Sequence, residues 1–494
     1  EGDGDRADAA AGGEPAWRPP CNFPPEIPPF TAVAGDKVDT KNFQLYITEA
    51  ILQDIVLYTN LSAEQYLAHN PLPRYARAQA WHPTDIAEMK KFLGLTLAMG
   101  LIKANSLESY WDTTTVLSIP VFSATMPRNR YQLLLRFLHF NNNATAVLPD
   151  EPGHDRLHKL RPLIDSLSER CGEVYTPSQN ICIDEPLLLF KGRIAFRQYI
   201  PSKRARYGIT FYKLRESSSG YTSYFMIYKS MDSQLDPTGC PLDLTVSGKI
   251  VWELISPLLG QYHLYVDNFY SSIPLFKALY SLDTPACGTI NRTRKGLPRD
   301  LVCKKLNRGE VYALRNDELL AIHYYDTKNL FMLTTIHDEP PKTKPLCSRE
   351  YSRYMGGIDR TDQLQHYYNA TRKTKAWYKK LIQMALRNSY FVKKAAVPGP
   401  KLSYYKYQLQ IIPALLFSGV EETAPEMPPS DNVARLIGKH FIDTLPPTPG
   451  KVFAQEACRA CRKRGIRRDT RYYCPKCPRN PGLCFKPCFE IYHT

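Results

Sequence analysis

No stretch of this chain is apolar for long enough to cross a membrane. The longest strongly apolar run, Phe92 to Ile102, has the length of a buried helix and falls well short of the roughly 20 residues a bilayer requires. Nothing in the opening reads as a secretory signal, since Glu1 to Asp36 shows no basic start followed by an apolar core. Acidic residues are in deficit: 48 Asp and Glu face 64 Lys and Arg, a formal net charge of +16. That surplus favours a polyanionic partner, nucleic acid or an anionic membrane surface, without choosing between them. There are no internal repeats. Cysteine is thin through most of the chain, where Cys21, Cys171, Cys182, Cys240, Cys287, Cys303 and Cys347 are scattered and read as ordinary small packed residues. The other six crowd between Cys458 and Cys488. This distribution predicts a small metal module on an intracellular chain with reduced thiols, and argues against a disulfide scaffold.

At 494 residues the chain exceeds what one hydrophobic core can organise, so about two to four domains are expected. Residues 1–36, rich in Ala, Gly, Pro and acids, read as a disordered acidic arm. From about Asn42 to Gly172 the pattern is helical, through FQLYITEAILQDIV, PTDIAEMKKFLGLTLAMGLI and NRYQLLLRFLHF, with Asp85 and Glu88 at capping-box spacing. From about Asn180 the texture changes to strand-length runs, ICIDEPLLLF, YGITFYKL, YTSYFMIY and HLYVDNFY, with a helix expected over Leu244 to Leu259. The segment therefore reads as mixed α/β. Short strands in EVYALR, LLAIHYYD and LFMLTTIHD suggest a separate β insertion over 288–346. Helix returns after Gly357, with a further element over Asp431 to His440, and PPTPG looks like a linker to the cysteine-rich end.

Asp184 lies inside the apolar run NICIDEPLLLF, and Asp267 closes HLYVD. A carboxylate on or just past a buried strand is costly as a bare charge, so it is normally paired, hydrogen-bonded or coordinated to a cation. Taken singly, each is better read as a helix cap or a salt-bridge partner. Asp359 and Asp362 follow a Gly-Gly pair at the expected start of a helix, where their i, i+3 spacing puts both on one face and either can cap it. In combination, two strand carboxylates and a helix-borne pair make the oxygen-rich set that magnesium prefers. Two such ions can activate an attacking hydroxyl and stabilise the leaving oxygen in phosphodiester cleavage and strand transfer.

The strings IDEPLLLFKGR, FRQYIPSKRARYGI, YVDNFYSSIPL, CGTINRTRKGLP and GGIDRTDQL, in that order, resemble the core motifs of piggyBac transposases. The likeness runs from about residue 37 to the end and is greatest to the amphibian Uribo-type members. It implies that Asp184, Asp267 and Asp359 are catalytic, with Asp362 an additional carboxylate at the magnesium site. It implies a ribonuclease-H-like catalytic core (180–287 and 347–368) interrupted by a β insertion domain (288–346). A helical dimerisation and DNA-binding domain (37–179 and 369–445) would flank that core, followed by a linker (446–455) and a cysteine-rich zinc domain (456–494). The activity implied is cut-and-paste transposition at TTAA: a nick, hairpin formation, hairpin opening and strand transfer. A nuclear homodimer acting on double-stranded DNA, both terminal repeats and target, goes with it.

Three basic segments are candidates for DNA contact. Lys191, Arg193, Arg197, Lys203, Arg204 and Arg206 follow the first aspartate, interleaved with Phe196, Tyr199 and Tyr207. They can neutralise phosphates while the aromatics stack or pack, or they form a solvated face. Arg292, Arg294 and Lys295 sit in a turn-like NRTRKG segment that the resemblance puts near the active site. Arg372, Lys373, Lys375, Lys379 and Lys380 surround Trp377, which resembles a family tryptophan near the active site but suits the core side of an amphipathic helix equally well.

The strongest local signal is at the end of the chain. Cys458 and Cys461, then Cys474 and Cys477, are two CxxC pairs, followed by Cys484, Cys488 and His493. Each pair lets two thiolates grip one zinc from a single turn, and structural zinc takes four ligands. An interleaved arrangement gives one zinc Cys458, Cys461, Cys484 and Cys488, and leaves Cys474, Cys477 and His493 on a second, with an eighth ligand, a His, expected beyond Thr494. The basic run Arg462, Lys463, Arg464, Arg467, Arg468 and Arg471 between the pairs suits DNA, with a protein-binding module as the competing reading. The alternatives to an active transposase are a domesticated descendant that binds DNA without cutting it, and a nuclease of the same fold. Four intact aspartates favour the enzyme.

Overall fold

Thr48 and Asp85 set where the first two long helices begin. In a computed structural model, which describes residues 42–113, 118–149, 151–201, 206–229, 235–338, 344–367, 377–396, 402–417, 442–448, 450–475, 477 and 479–493, α1 (Glu49–His69) starts with Thr48 Oγ1 accepting from Ile51 N at 3.3 Å. Helix α2 (Ile86–Leu101) starts with the Asp85 carboxylate accepting from Glu88 N at 2.7 Å. Only that half of the capping box forms, because Glu88 turns to Thr84 Oγ1 and to the buried Arg130. Helices α3 (Pro120–Thr125), α4 (Arg128–Phe137) and α5 (Arg161–Val174) complete the first helical segment. The acidic arm 1–36 and the helix expected over 431–440 lie outside the described residues.

The strand-rich part runs β1 (Asn180–Asp184), β2 (Leu187–Leu189), β3 (Gln198–Tyr199), β4 (Tyr207–Glu216) and β5 (Thr222–Ile227), then α6 (Val246–Ile255), β6 (His263–Val266), α7 (Ile273–Tyr280) and β7 (Ala286–Thr289). It continues with α8 (Arg299–Cys303), β8 (Val311–Asn316), β9 (Leu319–Tyr325), β10 (Asn329–Thr334) and α9 (Leu346–Tyr367). One ten-stranded sheet results, in the order β2-β4-β1-β6-β7-β10-β9-β8, with β3 and β5 also on β4. At its centre β1, β6 and β7 are parallel, while β4 and β5 on one side and β10 on the other are antiparallel. The strands expected as a separate insertion instead continue this sheet outward from β7, because β10 pairs along it from Met332↔Thr289 to Thr334↔Cys287.

Alternation along the strands assigns the two faces. Ile181, Ile183, Leu264 and Val266 point to the core built with Ile250, Trp252, Leu254, Phe276 and Leu279 of α6 and α7. Cys182, Tyr265 and Cys287 point the other way, under α9. That helix begins at Leu346, just after Pro345, and not after Gly357 as the sequence suggested. Cys347, Tyr351, Tyr354 and Met355 recur at i, i+4, i+7 and i+8 and pack on the sheet, so Gly356 and Gly357 fall inside a helix already fixed by its apolar stripe. A helix-interior glycine costs only about 1 kcal/mol, less than that packing returns.

Helices α10 (Lys379–Ala396) and α11 (Tyr404–Leu416) return to the first helical segment, where Leu386, Ile411 and Leu415 join Phe92, Leu95, Tyr131 and Leu134 in one core. The chain divides into two compact units, and the second, Gly419–Thr494, contains short pairings of β11 (Asp443–Thr444) with β14 (Tyr472–Tyr473) and of β12 (Glu456–Ala457) with β13 (Asp469–Thr470). Two one-turn helices, α12 (Arg459–Lys463) and α13 (Cys488–His493), complete it.

Candidate active site and zinc module

Asp184 ends β1 where that strand parts from β6. The ladder to β4 keeps one register across the break, since Asp184 pairs with Lys213 and Leu187 with Thr210. Pro186, with no N–H to donate, stands in the gap. On the other side Ile183 pairs with Val266 in the parallel ladder, so Asp267, one residue past β6, comes level with Asp184. Both aspartates are half-buried. Parallel strands need a crossover between them, and here it brings two carboxylates distant in sequence to adjacent strand ends.

The loop after β6 is held by Asp267 itself. Its Oδ1 accepts from Phe269 N at 2.9 Å and its carbonyl accepts from Ser271 N and Ser271 Oγ at 3.2 and 3.0 Å. Gly288 is required beside it, because a Cβ there would stand 2.5 Å from both the Val266 carbonyl and Ser271 Oγ. Two tyrosines that sequence reasoning passed over flank the pair. Burial pushes the Tyr351 phenol up to about 12, with Asp267 and Asp184 adding to the rise. Tyr270 goes well above the usual phenol range through burial and then through Glu185 and Asp184. Tyr351 belongs to the stripe of α9, the helix that also carries positions 359 and 362. The side chains of Asp359 and Asp362 lie outside the described residues. The missed signal for Tyr351 was its place in the 347, 351, 354, 355 repeat.

In the second unit the sulfur ligands gather as their interleaved spacing predicts. Cys458, Cys461, Cys484 and Cys488 form one group and Cys474, Cys477 and His493 another, the ligand atoms of each lying within 4.8 Å of one another. Cys461 Sγ stands 3.3 Å from Cys488 Sγ, and Cys477 Sγ 3.2 Å from His493 Nε2. His493 Nδ1 meets the Phe489 carbonyl at 2.7 Å, which fixes the tautomer that leaves Nε2 for a metal. Burial works against ionising Cys458, but hydrogen bonds from the backbone N–H groups of Cys461 and Cys484 and from the side chains of Cys484 and Cys461 together bring that thiol down to about 7. Four thiolates, or two thiolates with an imidazole, suit zinc.

Comparison with known proteins now decides the family. The profile of the family described as Transposase IS4 matches residues 40–390, most of the chain and all of the sheet. The chain belongs to the IS4 transposase family. Residues 450–494 match a second profile, the DDE_Tnp_1-like zinc finger, over the two sulfur clusters. Within the family the likeness is to piggyBac proteins. Human PiggyBac transposable element-derived protein 3 is 25% identical over 94% of this chain and 78% of its own length. Human PiggyBac transposable element-derived protein 5 is 22% identical, over 83% and 80%. A cryo-EM structure of the piggyBac transposase synaptic complex with hairpin DNA superposes with a TM-score of 0.67 at 24% identity, covering 90% of this chain and 94% of that one, and so shares the fold.

The chain distributes its predicted basic residues unevenly. Lys191, Arg193, Arg197 and Arg206 are exposed, while Lys203 and Arg204 lie outside the described residues. Strand β4 runs antiparallel to β1, so Tyr207 lies six residues beyond Asp184's partner Lys213, about 20 Å at 3.3 Å per residue, on the side toward which β1 points. There Tyr199 and Tyr207 pack with ring centroids 4.6 Å apart, and the Arg197 guanidinium lies 5.1 Å from the Tyr207 ring, an exposed aromatic and cationic surface. Arg294 reaches back to the carbonyls of Asn268 and Phe269 at 3.1 and 2.6 Å, next to Asp267, while Arg292 and Lys295 face solvent.

Trp377 is a core residue. It is 6% exposed and packs edge-on to Phe196 and Phe211, centroids 5.9 and 6.2 Å away. Lys379 is buried as well, and burial pushes both its ammonium and that of Lys380 down to about 8. Lys379 is thus not the solvent-facing phosphate contact expected of it, Lys380 is half-buried, and Arg372, Lys373 and Lys375 lie outside the described residues. Trp377→Ala is therefore expected to cost about 3–5 kcal/mol of stability, and Trp377→Phe much less, read as a drop in the urea midpoint. An unchanged midpoint in Trp377→Ala would contradict the core assignment. At the other end of the same strands, where β1 and β6 begin, a cleft of about 450 Å³ is lined by Gln179, His263, His337 and Glu350, well away from the aspartates.

Proposed function

We propose that the chain is a piggyBac-type cut-and-paste transposase, which excises an element and rejoins it at TTAA. The observation that carries this reading is the level placement of Asp184 and Asp267 on adjacent parallel strand ends, beneath the helix that carries Asp359 and Asp362. The order β5-β4-β1-β6-β7, antiparallel then parallel about β1, supports a ribonuclease-H-like core, with β8 to β10 as its insertion. The donor set fits magnesium, since every proposed ligand is a carboxylate and the two described ones are half-buried. When bound, magnesium at Asp184, Asp267, Asp359 and Asp362 supplies charge to activate the attacking hydroxyl and to stabilise the leaving oxygen.

The protein's own groups do the rest. Asp267 Oδ1, accepting from Phe269 N, keeps its carboxylate oriented, and Arg294 pins the same loop from outside. Lys191, Arg193, Arg197 and Arg206, with Tyr199 and Tyr207, receive the phosphates of DNA leading to the aspartates. The second unit holds zinc in two sites, and its basic run adds DNA affinity. The working form is a nuclear homodimer. Incubating full-length protein with a TTAA-flanked element end and magnesium is expected to give nicking followed by hairpin ends. Binding without any cutting would defeat the reading and favour a domesticated DNA binder, a descent consistent with the relatives' names as transposable element-derived proteins.

A further inference from the structure

Lys213 of β4 is 5% exposed, a rare depth for an ammonium. In the antiparallel ladder it stands opposite Asp184, and in the parallel ladders the step beyond Ile183, Val266 and Gly288 brings Asp184, Asp267 and Thr289 level. One row therefore crosses four strands: Lys213, Asp184, Asp267, Thr289. Alternation puts all four side chains on the same face. Ile183, Val266 and Leu214 turn into the core under α6 and α7, whereas Cys182, Tyr265 and Cys287 turn toward α9, and the row keeps the phase of the latter set. Tyr351 of α9 closes the far end, its phenol bonded to the Thr289 side chain. What surrounds the Lys213 ammonium narrows its role. Phe225 of β5 stands opposite it on the other side of β4, and the Phe211 ring lies 5.2 Å from Nζ. Cys171 of α5 senses it too, but burial pushes that thiol up to about 12 and keeps it neutral. Asp184 is the cross-strand neighbour with a charge to offer, and directly opposed Cβ atoms of an antiparallel pair stand about 5 Å apart.

We infer that Lys213 is a positioning residue of the carboxylate site, a resident cation that orients Asp184 and weakens divalent-metal binding until the phosphates of DNA arrive. The inference rests on the transposase reading proposed above. Carboxylates brought together repel one another, and an ammonium at the end of their row offsets part of that repulsion while the protein is free of DNA. The same positive charge opposes a divalent ion at Asp184, and at this depth solvent and salt screen it poorly. A DNA phosphate entering the site adds negative charge and tips the balance back toward the metal. Lys213 thus ties metal loading to the presence of substrate.

The test uses the full chain, its melting temperature followed across a manganese series, without DNA and with a short TTAA-flanked duplex. Lys213→Met keeps the length of the side chain and removes its charge. Its manganese midpoint without DNA is expected to fall on the order of tenfold below that of wild type, and the gap between the free and DNA-bound midpoints to narrow by the same factor. Nicking at saturating manganese should slow, because Asp184 is no longer held. Lys213→Gln is the second neutral variant and serves if methionine unfolds the sheet. Lys213→Arg keeps the charge and should keep the wild-type midpoint. Lys277→Met, on α7 against the other face of the sheet, removes equal charge and should leave the midpoint unchanged. A midpoint unchanged in the neutral variants at 213 would overturn the inference. So would an arginine variant shifted as far as methionine, which would trace the effect to packing. Wild type that shows no manganese-dependent rise at all would instead remove the metal site on which the transposase reading depends.

Discussion

Asp267→Asn is expected to lower cleavage of a TTAA-flanked DNA end by on the order of 10³-fold, with Asp184→Asn close behind, while DNA binding stays within about twofold of wild type. Removing one negative ligand from a metal-assisted phosphoryl transfer forfeits roughly 4 kcal/mol, and each 1.36 kcal/mol is tenfold. The amide is chosen because it keeps the shape of the site. An amide in place of the Asp267 carboxylate would still offer its Oδ1 to Phe269 N, the bond that holds the loop after β6 in the wild type. At position 184 the substitution removes the charge opposite Lys213 and leaves the β1–β4 ladder intact, since that ladder is made by the backbone. Two measurements separate chemistry from collapse: nicking in a gel assay, and the rise in melting temperature that magnesium or manganese is expected to give the wild type. Both should vanish together. Cleavage retained within tenfold in either amide variant would remove that residue from the site.

The second large effect concerns zinc. Cys458→Ser, or a zinc-selective chelator, is expected to unfold residues 442–493 as a whole while the unit ending at Ser418 melts as before. Among its described residues the module has only two-residue strands and one-turn helices, and its buried cluster consists mostly of the cysteines themselves. Such a core cannot offset chain entropy without metal, whereas structural zinc contributes about 10–16 kcal/mol of apparent binding free energy. Because the two ligand groups alternate along the chain, losing Cys458 should release both ions. Zinc content by elemental analysis and tryptic cutting at Arg462, Lys463, Arg467, Arg468 and Arg471 report the result. A Cys458→Ser protein that keeps one equivalent of zinc and resists trypsin there would show that the second site stands alone.

The zinc ligands were legible because their information is local: CxxC spacing and the order of the pairs already imply the interleaving that the sulfur positions show. The helical texture, the helix within Leu244–Leu259 and most strands were legible for the same reason. What could not be read was anything that depends on which strand lies beside which. Nothing in HLYVD states that Val266 will stand opposite Ile183, and that single register makes neighbours of Asp184 and Asp267. The strands after Gly288 were visible as strands, but their attachment through β10 to β7 was not. At Gly356 and Gly357 a rule about helix ends misled, since the stripe from Cys347 to Met355 had already begun the helix. Trp377 was undecidable from sequence because a buried indole and a ligand-facing one have the same helical phase, and Phe196 and Phe211, which settle it, arrive from a different part of the chain.

The parallel pairing of β1 with β6 also bears on when the proposed site can form during synthesis. A polypeptide still emerging from the ribosome carries Asp184 early, but until β6 has been made and has crossed over to lie beside β1 there is no second carboxylate next to it. The third proposed contributor waits longer still, on a helix that follows β10. On the proposed function, a truncated or half-synthesised copy therefore lacks the carboxylate set, and cleavage is withheld until the whole sheet and the helix after it are in place.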